Sequence, residues 1–425
     1  MEKYDAIILN LDGSKKFFEI GSFSAFIEND ITFEAICAGG LGVINASFLA
    51  MQDIDNMVKF WTMAINTDLF KVIKLIANIY ETTWSTLNDR QFIKEFTKFL
   101  AIDERLNDLK NSLKKYIKEN KVRNSNTTLF LNSINLSTLD YEVININEIP
   151  LGQFHSYVLL LICFPEISRF KKKNSLVINT HADLINVLVD NGYQNILSSE
   201  ETIEPLSFRN INIIKSSDFL EIESSYNSAK MKKHINTGYL DTLKAINKVS
   251  GKIYYIDYIN DEEYDKFTLH LGEMLSRSKN YLIKILLEAN HLNKQIILEK
   301  LDNLIKYSEF RKEKSLELSL IENLGNILGI EKNKKYTFTE FKNVIEDIVK
   351  KETAIQIKKV QDKEVLSRLI KRNEDLVSID KETFMEYFLI LISAKPQNYA
   401  KLSIVFNKIN NKMLLGIVTL IYLFN

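Results

Sequence analysis

The stretch ICAGGLGVINA, residues 36–46, limits the possible folds more than any other part of this chain. A compact apolar run ends in a cluster of glycines, and an apolar helical pattern starts straight after it. That order predicts a buried strand, a tight turn and a helix in immediate succession. In α/β-hydrolytic folds this is where a nucleophile elbow, G-x-S-x-G, stands. Here the five elbow positions read Ala38, Gly39, Gly40, Leu41 and Gly42, with glycine where the serine is expected. Three readings compete: an elbow without its nucleophile, a phosphate-cradling loop, or an ordinary turn.

The surrounding pattern decides the fold class. DAIILNL (5–11) and FEAIC (33–37) are apolar runs closed by Gly turns, as in parallel strands buried on both faces. GSFSAFIEN (21–29), VINASFLAMQ and DIDNMVKFWTMAI carry helical spacing. TTLFLNSINLS, YEVININ, NSLVINTH and RNINIIKSS read as further strands. Strands alternating with helices predict an α/β domain with a mainly parallel sheet, spanning residues 1–258. From 259 to 425 the pattern is helical, in YLIKILLEANHLNKQIILEKLDNLIKY, LSLIENLGNILGI, FKNVIEDIVKKE and VLSRLIKR. Breakers are scarce there, with four glycines and Pro396 after residue 257, so an all-helical C-terminal domain is expected.

Composition narrows the partners. Lys+Arg and Asp+Glu are both 55, so no global field draws the chain to nucleic acid. Cys37 and Cys163 sit in apolar runs and read as buried hydrophobes, which points to a reducing cytoplasm. MEKYDAIILNLDG reads as a first strand and not a signal peptide. The apolar run MLLGIVTLIYLF (413–424) spans about 18 Å as a helix, against about 30 Å of hydrocarbon core. A buried helix or strand accounts for it, and a membrane-dipping anchor is the alternative.

Residues 1–258 resemble the patatin-like phospholipases, lipid acyl hydrolases of three-layer α/β/α architecture, in four stretches in order. In LNLDGSKKFFEIGSFSAFIE, Ile20, Gly21 and Phe23 match the helix after the family's glycine-rich oxyanion loop. The loop glycines themselves fall on Leu11, Asp12 and Gly13. In the elbow stretch, Gly42, Ile44, Asn45, Ala46 and the later Trp61 match, and the nucleophile position is Gly40. Pro165, Gly192 and Tyr193 anchor the third match. Counting forward from Pro165 puts the catalytic acid at Asn179; counting back from Gly192 puts it at Leu176. Gly238, Tyr239, Asp241 and Thr242 match the closing helix of bacterial members.

The resemblance implies a serine–aspartate dyad with backbone N–H groups holding the oxyanion. This chain lacks each part. Gly40 offers no nucleophile, neither Asn179 nor Leu176 is a carboxylate, and Asp12 would repel an oxyanion. The expectation is a catalytically inactive, patatin-like pseudo-phospholipase that acts as a binding, structural or regulatory subunit. Its partner would be an active patatin-like paralogue or a second copy of itself, with a lipid or acyl ligand in the old cleft and no cofactor or metal.

Two alternatives stand beside it: an acyl hydrolase with a displaced nucleophile, and a lipid-sensing protein peripheral to the membrane. AGGLG has no P-loop lysine after it, and G-x-G-x-x-G is not matched. Ser14, Ser22, Ser24 and Ser47 read as solvated or capping serines. His181 and Asp183 read as surface-loop residues. The five histidines (155, 181, 234, 270, 291) lack metal-ligand spacing. Lys171–Lys173 reads as a solvated hairpin within reach of phospholipid headgroups.

Overall fold

The computed structural model describes residues 4–9, 15–67, 82–134, 141–171, 180–199, 210–217, 228–257, 316–360, 380–393 and 411–424, with scattered positions between 68 and 81. The chain divides into two units, Met1–Asn247 and Lys248–Asn425. The sequence boundary at 258 lies later than this division.

The first unit opens with strand β1 (Ala6–Ile8), helix α1 (Lys16–Glu28), strand β2 (Ala35–Gly39) and helices α2 (Gly42–Met51) and α3 (Ile54–Asn66). Helices α4 (Asp89–Ile102), α5 (Glu104–Tyr116) and α6 (Glu119–Arg123) lead to strands β3 (Thr128–Ile134) and β4 (Tyr141–Asn145). Then come helices α7 (Phe154–Lys171) and α8 (Thr180–Asp190), strands β5 (Asn195–Ser198) and β6 (Asn210–Ile213), and helix α9 (Ser228–Ala245).

Among the described residues, the strands form one six-stranded sheet in the order β4-β3-β2-β1-β5-β6. Every pairing is parallel except β3 with β4. Side-chain alternation along the strands explains the layers. Ala6, Ile8, Ala35, Cys37 and Ile196 form one face and pack with Leu184, Ile185 and Leu188 of α8. The alternate residues Ile7, Ile36, Leu129, Leu131 and Leu197 are also buried, and α2 and α7 pack at β3. The unit is therefore an α/β/α sandwich around a mainly parallel sheet.

Two sequence expectations change here. NSLVINTH, expected to be a strand, has its last two residues at the start of helix α8, and 174–179 lie outside the described residues. Lys171 closes α7 and is not in a hairpin, while Lys172 and Lys173 lie outside the described residues.

The second unit starts with strand β7 (Tyr255–Asp257). It continues through α10 (Leu316–Ile327), strand β8 (Lys335–Thr337), α11 (Phe338–Val360), α12 (Lys381–Ser393) and α13 (Asn411–Leu423). It is helical but not all-helical, because β7 and β8 pair in parallel. The apolar C-terminal run is a buried helix: Met413, Ile417 and Leu420 of α13 are fully covered in a core shared with Tyr254, Ile321, Phe341 and Phe384. Among the described residues, no helix is long and apolar enough to cross a membrane. The long helix expected over 281–307 and VLSRLIKR both lie outside the described residues.

Candidate functional site

The sheet order fixes where a site can form. The chain lays β1 to β4 in one direction and then returns to place β5 and β6 on the other side of β1. The strand order therefore reverses between β1 and β5. In open α/β sheets, ligands bind outside the carboxyl ends of the strands at such a reversal.

β2 delivers the elbow to this edge. All five of its residues are buried. Gly40 then turns the chain at φ 49°, in the left-handed region, and Leu41 is already helical at φ −68° and ψ −23°. Val43 N–H closes the turn onto the Gly40 carbonyl at 3.4 Å, and Ile44 N–H reaches that of Leu41 at 3.1 Å. Only glycine takes a left-handed conformation at little steric cost. The bend is thus made with no side chain at its apex.

Beside the elbow, a buried polar network joins three elements. Ser199 directly follows β5, and its N–H donates to the Ile8 carbonyl at the end of β1 (2.9 Å). Its hydroxyl donates to Glu19 Oε1 at 2.6 Å. The other carboxylate oxygen, Oε2, accepts from Asn45 Nδ2 on α2 at 2.7 Å, and that same amide reaches the Lys16 carbonyl at 3.0 Å. Trp61 Nε1 donates to Asn45 Oδ1 at 2.8 Å, and Lys15 Nζ to the Ser199 carbonyl at 2.6 Å. Glu19, Ser199 and Trp61 are each only 1% exposed and Asn45 is fully buried. Burying a carboxylate this deeply demands such donors.

Sequence reading marked Asn45 and Trp61 as matching residues but missed Glu19, Lys15 and Ser199. An acid inside the apolar run FFEIGSF was the available signal. Its partner Ser199 lies 180 residues away, so no local pattern connects the two.

Leu11, Asp12 and Gly13, together with Asn179 and Leu176, lie outside the described residues, as does Ser14. None of Ser22, Ser24 and Ser47 caps a helix, and Ser22 and Ser47 are buried while Ser24 is half-buried. Each hydroxyl donates back to the carbonyl four residues earlier, Phe18, Ile20 and Val43, within its own helix. His181 and Asp183 stand in the first turn of α8 and not in a loop. Cys37 and Cys163 are buried free thiols, and burial pushes both well above the ordinary thiol range, so neither is a ready nucleophile. Among the described residues, no three His, Cys, Asp or Glu side chains group to hold a metal ion.

The other matching residues have structural tasks. A Cβ on Gly21 would collide with the Ile235 carbonyl, and one on Gly238 with that of Phe18, so α1 and α9 touch backbone to backbone. Tyr239 hydroxyl donates to Glu28 at 2.5 Å, and Asp241 accepts from Ser217 N–H at 2.7 Å. Tyr193 N–H bonds the Leu188 carbonyl and so finishes α8 ahead of β5.

No known family model matches the chain, and no curated protein does. Among solved structures, VipD from Legionella pneumophila is similar over 76% of this chain and 84% of that one, at 13% identity and a TM-score of 0.35. A likeness of that size does not place the chain in a family.

Proposed function

We propose that this protein is a catalytically inactive member of the patatin-like lipid acyl hydrolase plan, working as a binding or structural subunit. Its partner would be an active patatin-like paralogue or a second copy of the chain, with an acyl or lipid ligand as the candidate small molecule. One observation carries the reading: Gly40 makes the elbow bend in the left-handed region and puts no functional group at its apex. The polar groups around it support the same view. Glu19, Asn45, Trp61 and Ser199 are spent on one another, and none projects to solvent. Without nucleophile and base, only residual rate enhancement from binding is available to this mechanism.

The test is incubation with a fluorogenic acyl ester and labelling with a serine-reactive fluorophosphonate. The expected result is neither turnover nor label, both for the native protein and for the Gly40→Ser/Asn179→Asp variant. Turnover by the native protein would sink the proposal.

A second reading, hydrolysis through a displaced nucleophile, is favoured by one contact. The Ser199 hydroxyl donates to the Glu19 carboxylate at the carboxyl end of β5, as a serine paired with a general base would. Fluorophosphonate labelling that disappears in Ser199→Ala would establish it in place of the first.

A further inference from the structure

The opposite edge of the sheet carries a feature with no part in the elbow. β4 ends where it pairs with Phe130 near the start of β3, and the chain then turns through residues 146–153 into α7. At the tip, Leu151 is 84% exposed, well above any other large hydrophobic side chain described. The tip is firmly built. Gln153 N–H bonds the Pro150 carbonyl at 3.1 Å across a turn whose third residue, Gly152, has φ 81°, the type II geometry. Arg123 clamps the loop from α6 by donating to the carbonyls of Ile146 (2.7 Å), Ile149 (2.8 Å) and Pro150 (3.3 Å). Glu119 completes the clamp, accepting from Gly152 N–H at 2.9 Å and pairing with Arg123 at 2.8 Å. A leucine held out on a braced turn loses little freedom when it is buried by something else.

The exposed charges on the helices beside the tip are mostly basic, with Glu148 on the loop itself the nearby exposed acid. Lys114, Lys115, Lys118 and Lys121 are exposed on α5, α6 and the joint between them. Among the described residues, none of the four has a carboxylate at salt-bridge distance. Lys118 Nζ turns back to the Lys114 carbonyl at 3.0 Å, which keeps the two together. Glu119, the acid among them, faces inward to Arg123 and Gly152. Glu148 Oε2 accepts from Asn145 N–H at 3.3 Å, and Asp108 lies nearer the start of α5.

We infer that this edge docks on an anionic lipid surface, with Leu151 entering the acyl boundary and the four lysines meeting the headgroups. The chemistry favours lipid over the other polyanions. Nucleic acid is gripped through stacked aromatics and forked arginines as well as point charges, and here the exposed groups are ammonium ions and one aliphatic side chain. A single projecting leucine needs a shaped socket in a protein partner. A hydrocarbon phase takes it in any orientation. One apolar insertion combined with a basic patch is the pairing that peripheral membrane proteins need for stable attachment.

Flotation of the full-length protein with vesicles tests this. One set is phosphatidylcholine alone, and the other contains about one part in four phosphatidylserine, enough to give the surface a negative potential. The expected result is flotation with the anionic vesicles only, reversed by high salt. Lys118→Glu/Lys121→Glu should weaken binding at least about twentyfold, since each lysine near such a surface contributes about fivefold. Leu151→Ser should weaken it about tenfold, by loss of the inserted side chain. Leu151→Phe should retain it. All three positions are solvent-facing or at the turn, and an unchanged near-ultraviolet circular dichroism spectrum verifies that each variant folds. Equal flotation with neutral vesicles, no flotation, or binding undiminished by the Lys118/Lys121 reversal would each overturn the inference. So would capture of the protein by polyglutamate with no binding to anionic vesicles.

Discussion

Gly40 is where backbone geometry and chemistry meet most directly. At φ 49° any Cβ suffers, so Gly40→Ala should cost about 1–2 kcal/mol, and thermal unfolding should shift down by about 2–4 °C. Gly40→Ser should behave the same way, which separates a strained bend from a site waiting for its hydroxyl. An unshifted melting curve would mean that the turn relaxes out of the left-handed region. His155 gives a second residue-scale prediction. It is buried, and its Nε2 stands 2.9 Å from the Ile117 carbonyl, which can only accept, so Nε2–H donates. Burial, the largest cause, holds the imidazole below its ordinary 6.5, outweighing the Ile117 carbonyl and the Glu119 charge, which act the other way; Lys114 and Lys110 add to the lowering. The unfolded chain titrates near the ordinary value, so below it the unfolded state takes up a proton that the folded state refuses. Stability is therefore complete above that value and declines as the pH falls through it toward the folded-state value. Urea midpoints at about pH 7.5 and about pH 5.5 should show this decline, and His155→Gln, which keeps a donor without titrating, should flatten it.

At the scale of elements, the contact between α1 and α9 bears most directly on the first unit. Gly21 and Gly238 let the two backbones meet, and neither helix can accept a methyl group there without moving the other. Gly238→Ala should cost about 3 kcal/mol, because the obstacle is a carbonyl of the main chain and not a flexible side chain. Combining it with Gly21→Ala should cost less than the sum, since the first substitution already parts the helices. Chemical denaturation of the single and double variants measures both effects. This contact also explains what the sequence made legible. Strands β1 and β2, the elbow and helices α1 to α3 were readable because compact apolar runs, glycine turns and 3.6-residue spacing are local signals. Gly21, Gly238, Asn45 and Trp61 stood out through resemblance, and the structure gives each a mechanical reason. Ser199 with Glu19, and β7 with β8, were not readable. Each pairs residues many tens of positions apart, and NILS at β5 and KYT at β8 lack the longer apolar or alternating run that surrounds the equally short β1 and β6.

At the scale of the whole molecule, the chain builds two units with separate cores, and their polar anchors differ in kind. The first buries the Glu19 carboxylate among side-chain donors, whereas the second buries Glu322 against main chain. Glu322 of α10 is fully covered. Its Oε1 accepts from Ile253 N–H (2.9 Å) and Tyr254 N–H (2.7 Å), and its Oε2 from Lys252 N–H (2.9 Å). Three successive amides aimed at one carboxylate form the kind of nest that elsewhere binds a free anion. Here the chain supplies the anion itself and so fixes the segment leading into β7. The charge has a neighbouring cost: burial first, and Glu322 second, push the Tyr254 hydroxyl well above its ordinary range, which keeps that phenol neutral beneath Phe341. Glu322→Gln retains the shape but replaces one acceptor oxygen by a donor facing a donor. It should cost the second unit about 1–3 kcal/mol. Hydrogen exchange read by mass spectrometry places the loss. Amides of 252–257 and α10 should exchange faster by the corresponding factor, while those of β1, β2 and β5 should keep their native protection. Equal acceleration in both units would show that the molecule opens as one cooperative body and that Glu322 is an anchor for the whole of it.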